Sequence, residues 1–201
     1  MVDPEPRDIN ERMEAQLLQR RVVMARGALD DQLAARVAAQ LMWLDGSGDG
    51  VIDLHVDTPG GPLATAFTVM DTIELLGVPV HAHCLGRVEG SGVGVVAVCE
   101  RRTAARHAQF HLVEPRAEVS GRAAELERWA EHHQRQLAQF VNRLATATGR
   151  PAEHVEAELV AGRWMDAEAA VAYGLIQEIA PPGRGPTRPP GSPPMGYGRP
   201  A

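Results

Sequence analysis

The apolar residues of this chain follow two different spacings, and the change from one to the other predicts strands that lead into helices. Ile52, Leu54 and Val56 occupy alternate positions in a β-prone run, which is typical of a strand. From Leu63 to Ile73, apolar residues recur at steps of three and four, which predicts a helix with one apolar face. Proline and two glycines separate these patterns at 58–61. We therefore predict a strand, a tight turn and a helix in succession.

The same order recurs on either side of this stretch. A strand over 21–26 precedes a helix that begins near Leu29 and has Asp30 and Asp31 at its N-terminus. Further along, the pattern predicts a strand over 78–85, a glycine turn over 86–92, a small-residue helix over 93–99 and a strand over 109–113. We expect an α/β fold of repeated ββα units, with the loops that follow the strands gathered on one edge.

A long amphipathic helix is predicted over 120–148. Its apolar face contrasts with a face of Glu, Arg and Gln, and Gly149 and Pro151 end it. The helix is too long to be covered by a core of this size, so we expect part of it to pack on another subunit. A short helix over 152–160, a helix capped by Asp166 and reaching Tyr173, and a strand over 175–179 complete the prediction.

Length and composition predict one domain. The 201 residues divide into an N-terminal segment (1–20) with a short surface helix, a single folded domain (21–180) and a tail (181–201). The tail consists almost entirely of Pro, Gly, Ser and Arg, which supply too little apolar surface for folding, so we expect it to be disordered.

Charge and hydropathy argue against several classes of partner. The net charge is −6 and the arginines form no basic stripe, which argues against nucleic-acid binding. No run approaches the roughly 18 apolar residues of a membrane span, and the charged N-terminus lacks an apolar core, so we expect a cytoplasmic protein without membrane contact. Cys84 and Cys99 lack metal-ligand spacing and are expected to be reduced. We predict neither a metal site nor a cofactor.

Five short motifs, in this order and spacing, resemble the ClpP family, the proteolytic subunit of the ATP-dependent Clp protease. The resemblance covers about 17–179. It implies a ClpP/crotonase fold with a long protruding handle helix, stacked heptameric rings, peptide substrates and an AAA+ unfoldase as partner. The motifs are Leu29-Asp-Asp-Gln, Val56-Asp-Thr-Pro-Gly-Gly, Asp71-Thr, Thr148-Gly-Arg-Pro and Ala170-Val-Ala-Tyr-Gly-Leu.

The resemblance also implies where a catalytic triad would lie, and this chain departs from the family there. The family uses Ser, His and Asp, of which the histidine takes the serine proton and the aspartate orients the imidazole. Aligned on the neighbouring motifs, the serine position holds Gly90, the histidine position Val113 and the aspartate position Gly162. Glycine and valine have no side-chain proton to transfer, so we predict a catalytically degenerate member.

The backbone scaffold of the family site is retained. Gly60 and Gly61 match the turn that binds the oxyanion in the family, and the amides of Ser91 and Gly92 follow the nucleophile position. The resemblance therefore implies that these four residues could hold the backbone of an extended peptide.

Three functional hypotheses follow. The first is a degenerate ClpP-like subunit that acts as a structural or regulatory ring member, alone or with an active paralogue. The second is an active serine endopeptidase with a displaced triad of Ser91, His111 and Asp166, since His111 shares a strand face with position 113. The third, weaker hypothesis is a crotonase-like acyl-CoA binder that uses the same oxyanion turns.

Overall fold

The computed structural model of the chain describes residues 9–115 and 119–181, and it has the predicted α/β architecture. The seven strands are β1 (Val22–Arg26), β2 (Ile52–Thr58), β3 (Val80–Glu89), β4 (Arg101–Ala104), β5 (Gln109–Leu112), β6 (Arg163–Asp166) and β7 (Glu178–Ile179). The seven helices are α1 (Ile9–Gln19), α2 (Asp31–Asp45), α3 (Leu63–Leu75), α4 (Ser91–Ala97), α5 (Ala123–Thr148), α6 (Ala152–Ala161) and α7 (Ala167–Tyr173).

The strands form a sheet that divides at β3. Parallel strands follow the order β1-β2-β3-β4-β7, and β4 pairs with the first half of β3. The second half of β3 pairs with β5, which pairs in turn with the antiparallel strand β6. Because parallel strands place their carboxyl ends on one edge, the turns after β2 and β3 lie side by side. The candidate site lies at this edge.

The sequence prediction of a glycine turn over 86–92 is wrong, because β3 continues through Glu89. Val88 is completely buried and is paired with Thr58 on one side and Phe110 on the other. A side chain on Gly86 would meet the Asp57 carboxylate at 2.4 Å, so this glycine gives Asp57 room within the sheet. Only Gly90 remains as the turn. The short strands β4 and β6 were not predicted either.

The long helix α5 projects from the domain along most of its length. Its buried residues, Phe140, Val141 and Leu144, all belong to its C-terminal half. A Cβ atom on Gly94 of α4 would lie 2.4 Å from the Phe140 ring, so the absence of a side chain there lets α5 dock closely. The rest of α5 has no buried side chain in the described structure.

The predicted N-terminal segment, 1–20, contains α1, whereas its first eight residues lie outside the described part. Apart from Pro181, the predicted disordered tail, 181–201, also lies outside it. Across residues 9–115 and 119–181, no helix combines the length and the apolar character needed to cross a bilayer.

Candidate functional site

The turn after β2 is held against the loop before α2. The amide of Leu29 donates to the Gly60 carbonyl over 3.0 Å, and a Cβ on Gly61 would lie 2.1 Å from the Leu29 carbonyl oxygen. Gly60 has φ +79°, a conformation that favours glycine. Glycine is therefore required at position 60 by the positive φ, and at position 61 by the close approach of the Leu29 carbonyl oxygen.

The turn after β3 is centred on Gly90. Its φ and ψ are +50° and −124°, and its amide donates to the His111 carbonyl over 3.0 Å. A Cβ on Gly90 would lie 3.8 Å from Val113 Cγ1. The structure thus brings together the positions that the family resemblance assigns to the nucleophile and the base, and neither carries a reactive group.

The third assigned position, Gly162, lies directly before β6. Leu112 of β5 is paired with Arg163 of β6, so the next step of the register sets Val113 opposite Gly162. A Cβ on Gly162 would lie 3.5 Å from His111 Nε2. Val113 and Gly162 each lie one residue beyond the last pair of this ladder, and Val113 adjoins Gly90. The three assigned positions hold two glycines and a valine.

Ser91, the first displaced candidate, is bound to the neighbouring turn. Its hydroxyl accepts a hydrogen bond from the Gly61 amide (2.9 Å) and donates one to the Gly61 carbonyl (2.8 Å). The side chain is fully buried at the start of α4. The hydroxyl proton and one lone pair are thereby engaged with the backbone.

His111, the second candidate, has other partners. Its ring stacks on Trp164 with centroids 4.0 Å apart, and its Nδ1 lies 3.7 Å from a Glu89 carboxylate oxygen. The described structure contains no hydrogen bond between the side chains of Ser91 and His111. In this arrangement His111 has no hydroxyl proton to accept.

Asp166, the third candidate, caps α7 by accepting a hydrogen bond from the Ala169 amide over 2.8 Å. In the register of β5 and β6 it is paired with Gln109, whereas His111 is paired with Trp164. This offset of two residues corresponds to roughly 6.5 Å along a strand. The structure therefore does not bring Asp166 to His111 as an orienting group.

Two of the four predicted backbone donors are engaged within the described structure. The Gly60 amide donates to Thr58 Oγ1 over 3.0 Å, and the Gly61 amide to Ser91. A Cβ on Gly92 would lie 2.5 Å from Thr58 Cγ2, so this glycine allows α4 to pack against the turn. The side-chain oxygens of Thr58 and Ser91 thus occupy the two donors in the Gly60-Gly61 turn.

A cleft of about 370 Å³ contains most of these residues. Neither Gly92 nor Asp166 lines it. Glu89 was not predicted to be a neighbour of His111. The predicted strand stopped at residue 85, four residues before Glu89, so Glu89 was not placed beside β5. The lining residues are Pro59, Gly60, Gly61, Pro62, Glu89, Gly90, Ser91, His111, Val113, Glu114 and Pro115.

The cysteines offer no replacement nucleophile. Both thiols are free and buried. Burial raises the pKa of Cys99 to about 12 and also raises the pKa of Cys84, so both stay protonated near neutral pH.

A comparison with protein families agrees with the fold and with the adjoining turns after β2 and β3. Residues 7–182 match the family model described as Clp protease. The match extends from the helix before β1 to the end of β7 and includes all three triad positions. This chain belongs to the Clp protease family.

Proposed function

We propose that this protein is a catalytically degenerate ClpP-like subunit with a structural or regulatory role in a ring assembly. The observation that supports this most directly is that Gly90 and Val113 adjoin each other in the cleft without a reactive group. Gly162, directly before β6, has no carboxylate to offer the nearby His111 ring. Acyl transfer needs a nucleophile and a base within hydrogen-bond distance of each other. These residues supply neither group.

Self-association into stacked heptameric rings is the second part of the proposal. Beginning in its N-terminal half, α5 carries a half-buried stripe at helical spacing. Its last member, Leu137, packs against the core, whereas Leu126 and Trp129 lie outside the described hydrophobic core. Apolar stripes of this kind are suited to helix packing across an interface. The stripe consists of Leu126, Trp129, His133 and Leu137.

An active paralogue in the same ring would supply the missing chemistry, and an AAA+ unfoldase would deliver the substrate in the cytoplasm. The ligand expected for the cleft of this subunit is an extended peptide, which would be held and not cut. These partners are proposed on family membership.

The displaced triad remains the second candidate function, because Ser91 and His111 line the same cleft. The two hydrogen bonds that join Ser91 to Gly61 argue against it. Attack by this serine would require the hydroxyl to leave both partners and turn toward His111. An acyl-CoA binder is less well supported, since the amides of Gly60 and Gly61 already donate to internal oxygens.

The deciding experiment is labelling with a fluorophosphonate probe, applied to the purified protein and to Ser91→Ala. We expect no labelling of either protein and no cleavage of a fluorogenic peptide. Labelling of the parent protein that is lost in Ser91→Ala would overturn the proposal and establish a displaced catalytic site.

Assembly is tested separately by co-expression with an active ClpP paralogue and isolation of the complex through a tag on this chain. We expect one particle that contains both chains and cleaves the fluorogenic peptide. Complete separation of the chains, with this subunit monomeric, would contradict the ring role.

A further inference from the structure

The Ser91 hydroxyl occupies both backbone hydrogen-bonding groups of Gly61. It accepts from the amide over 2.9 Å and donates to the carbonyl over 2.8 Å. An extended peptide that pairs with a strand uses the same two kinds of group, a donor and an acceptor of one residue. Ser91 therefore satisfies Gly61 as a bound peptide would.

The neighbouring donor is engaged as well. The Gly60 amide donates to Thr58 Oγ1 over 3.0 Å, in a buried contact. The Gly60-Gly61 turn thus keeps no free amide, although both glycines line the cleft. A peptide that entered the cleft could pair with Gly61 only by displacing the serine hydroxyl.

Complete burial of Ser91 strengthens this arrangement. Water does not compete for the buried hydroxyl, and the amide and carbonyl of the partly buried Gly61 would carry a desolvation penalty in proportion to their burial if they lost this partner. Displacement by a ligand is correspondingly unfavourable. The position of Ser91 at the start of α4, directly after the Gly90 turn, holds its side chain against Gly61.

We infer that Ser91 is an internal ligand of the Gly60-Gly61 turn and that it determines how tightly the cleft binds an extended peptide. This inference rests on the proposed function, since a serine with no catalytic role is free to remain bound to the backbone. In the parent protein a peptide backbone pairs with Gly61 only after it displaces the Ser91 hydroxyl, so the cleft holds such a peptide weakly.

Replacement of Ser91 by Ala would leave the amide and carbonyl of Gly61 without a partner. A peptide that supplies both partners would then relieve the desolvation penalty, which the parent protein never pays. We expect Ser91→Ala to bind extended peptides at least about tenfold more tightly than the parent.

The probe is a fluorescein-labelled hexapeptide of alternating Val and Thr, titrated with the assembled protein and followed by fluorescence anisotropy. Thr103→Val is the matched control, because Thr103 is also a buried hydroxyl but lies on β4 outside the cleft lining. We expect tighter binding for Ser91→Ala alone. Equal affinity of the parent and Ser91→Ala would overturn the inference.

Hydrogen–deuterium exchange of the fragment that contains Gly61 gives a second readout. Its test on the parent protein needs no variant. In the parent we expect slow exchange of the Gly61 amide, and in Ser91→Ala fast exchange that slows again when the peptide is added. Fast exchange in the parent would overturn the inference even if Ser91→Ala does not fold.

Failure of this inference is distinguishable from failure of the proposed function. A parent protein that binds the hexapeptide as well as Ser91→Ala, and that is not labelled by fluorophosphonate, is still non-catalytic. Labelling at Ser91 would overturn the proposed function whatever the anisotropy shows.

Discussion

A side chain on Gly90 would point toward Val113, since its Cβ would lie 3.7 Å from the valine carbonyl oxygen and 3.8 Å from Cγ1. These are ordinary van der Waals distances, so the space beside the turn admits a side chain. The backbone is the obstacle, because φ of +50° is unfavourable for residues other than glycine. Glycine at this turn therefore avoids the backbone strain that another residue would carry.

Gly90→Ser should lower the free energy of unfolding by about 1 to 2 kcal/mol, the typical cost of a strained backbone conformation. Denaturant unfolding measures the change. Gly46→Ser is the control, because Gly46 has φ −71° and a Cβ there would make only contacts of 3.7 Å or more. A Gly90→Ser protein as stable as Gly46→Ser would show that the turn is not strained.

Gly90→Ser combined with Val113→His should react with fluorophosphonate, whereas Gly90→Ser alone should react much more slowly. The double variant places a serine and a histidine at adjoining positions of one cleft, and a positioned general base contributes about 100-fold or more. The rate of probe labelling checks this. Equal rates for the single and double variants would mean that positions 90 and 113 do not meet as the structure indicates.

Gly94→Ala should destabilise the protein by about 1 to 3 kcal/mol through overpacking. Its Cβ would lie 2.4 Å from the Phe140 ring and 3.0 Å from Met70 Sδ, so α5 would have to shift. Thermal unfolding and protease sensitivity of α5 provide the measurement. The double variant Gly94→Ala, Phe140→Leu should recover part of the lost free energy of unfolding. An absence of recovery would mean that the added methyl group clashes with a residue other than Phe140.

Stability should fall as the pH drops below about 6.5, in part because of His55. Burial lowers the pKa of His55, the nearby His83 lowers it further and Asp53 acts in the opposite direction. In the window between the lowered pKa and the unfolded value, the unfolded chain binds more protons than the folded one, so acid favours unfolding. Below the lowered pKa the folded protein is protonated too, so His55 causes no further fall, and the stability lost across the window is not regained.

His55→Asn should therefore reduce the fall in melting temperature between about pH 7.5 and about pH 5.5. The exposed His107, replaced by Asn, is the matched control and should leave the fall unchanged. An identical pH dependence in the parent and His55→Asn would rule out His55 as a contributor.

Leu126→Glu should weaken assembly through α5, because it places a charge in the half-buried stripe that is proposed to form an interface. Gln139→Glu introduces the same charge at an exposed position of the same helix and should leave assembly intact. Light scattering after size-exclusion chromatography reports the mass of the particle. A Leu126→Glu particle as large as that of Gln139→Glu would argue against this stripe as the interface.

The α/β class and most of the elements were predictable from the sequence, because their apolar residues are periodic. In β2 every buried residue follows the expected alternation, and in α3 the predicted face is buried at Leu63, Met70 and Ile73. The Asp166 cap of α7 was also predicted correctly from local chemistry. The family resemblance is confirmed over 7–182. The assignment of the three triad positions stays a prediction from that resemblance.

The end of β3 and the meeting of distant side chains depend on tertiary packing. Gly86 suggested a turn, but burial of Val88 between two neighbouring strands outweighs the local preference of glycine. The continuation of β3 carries Glu89 to His111, a pairing that no local pattern encodes. The attachment of Ser91 to Gly61 joins residues 30 positions apart, and such contacts depend on how the turns of a parallel sheet come together at one edge.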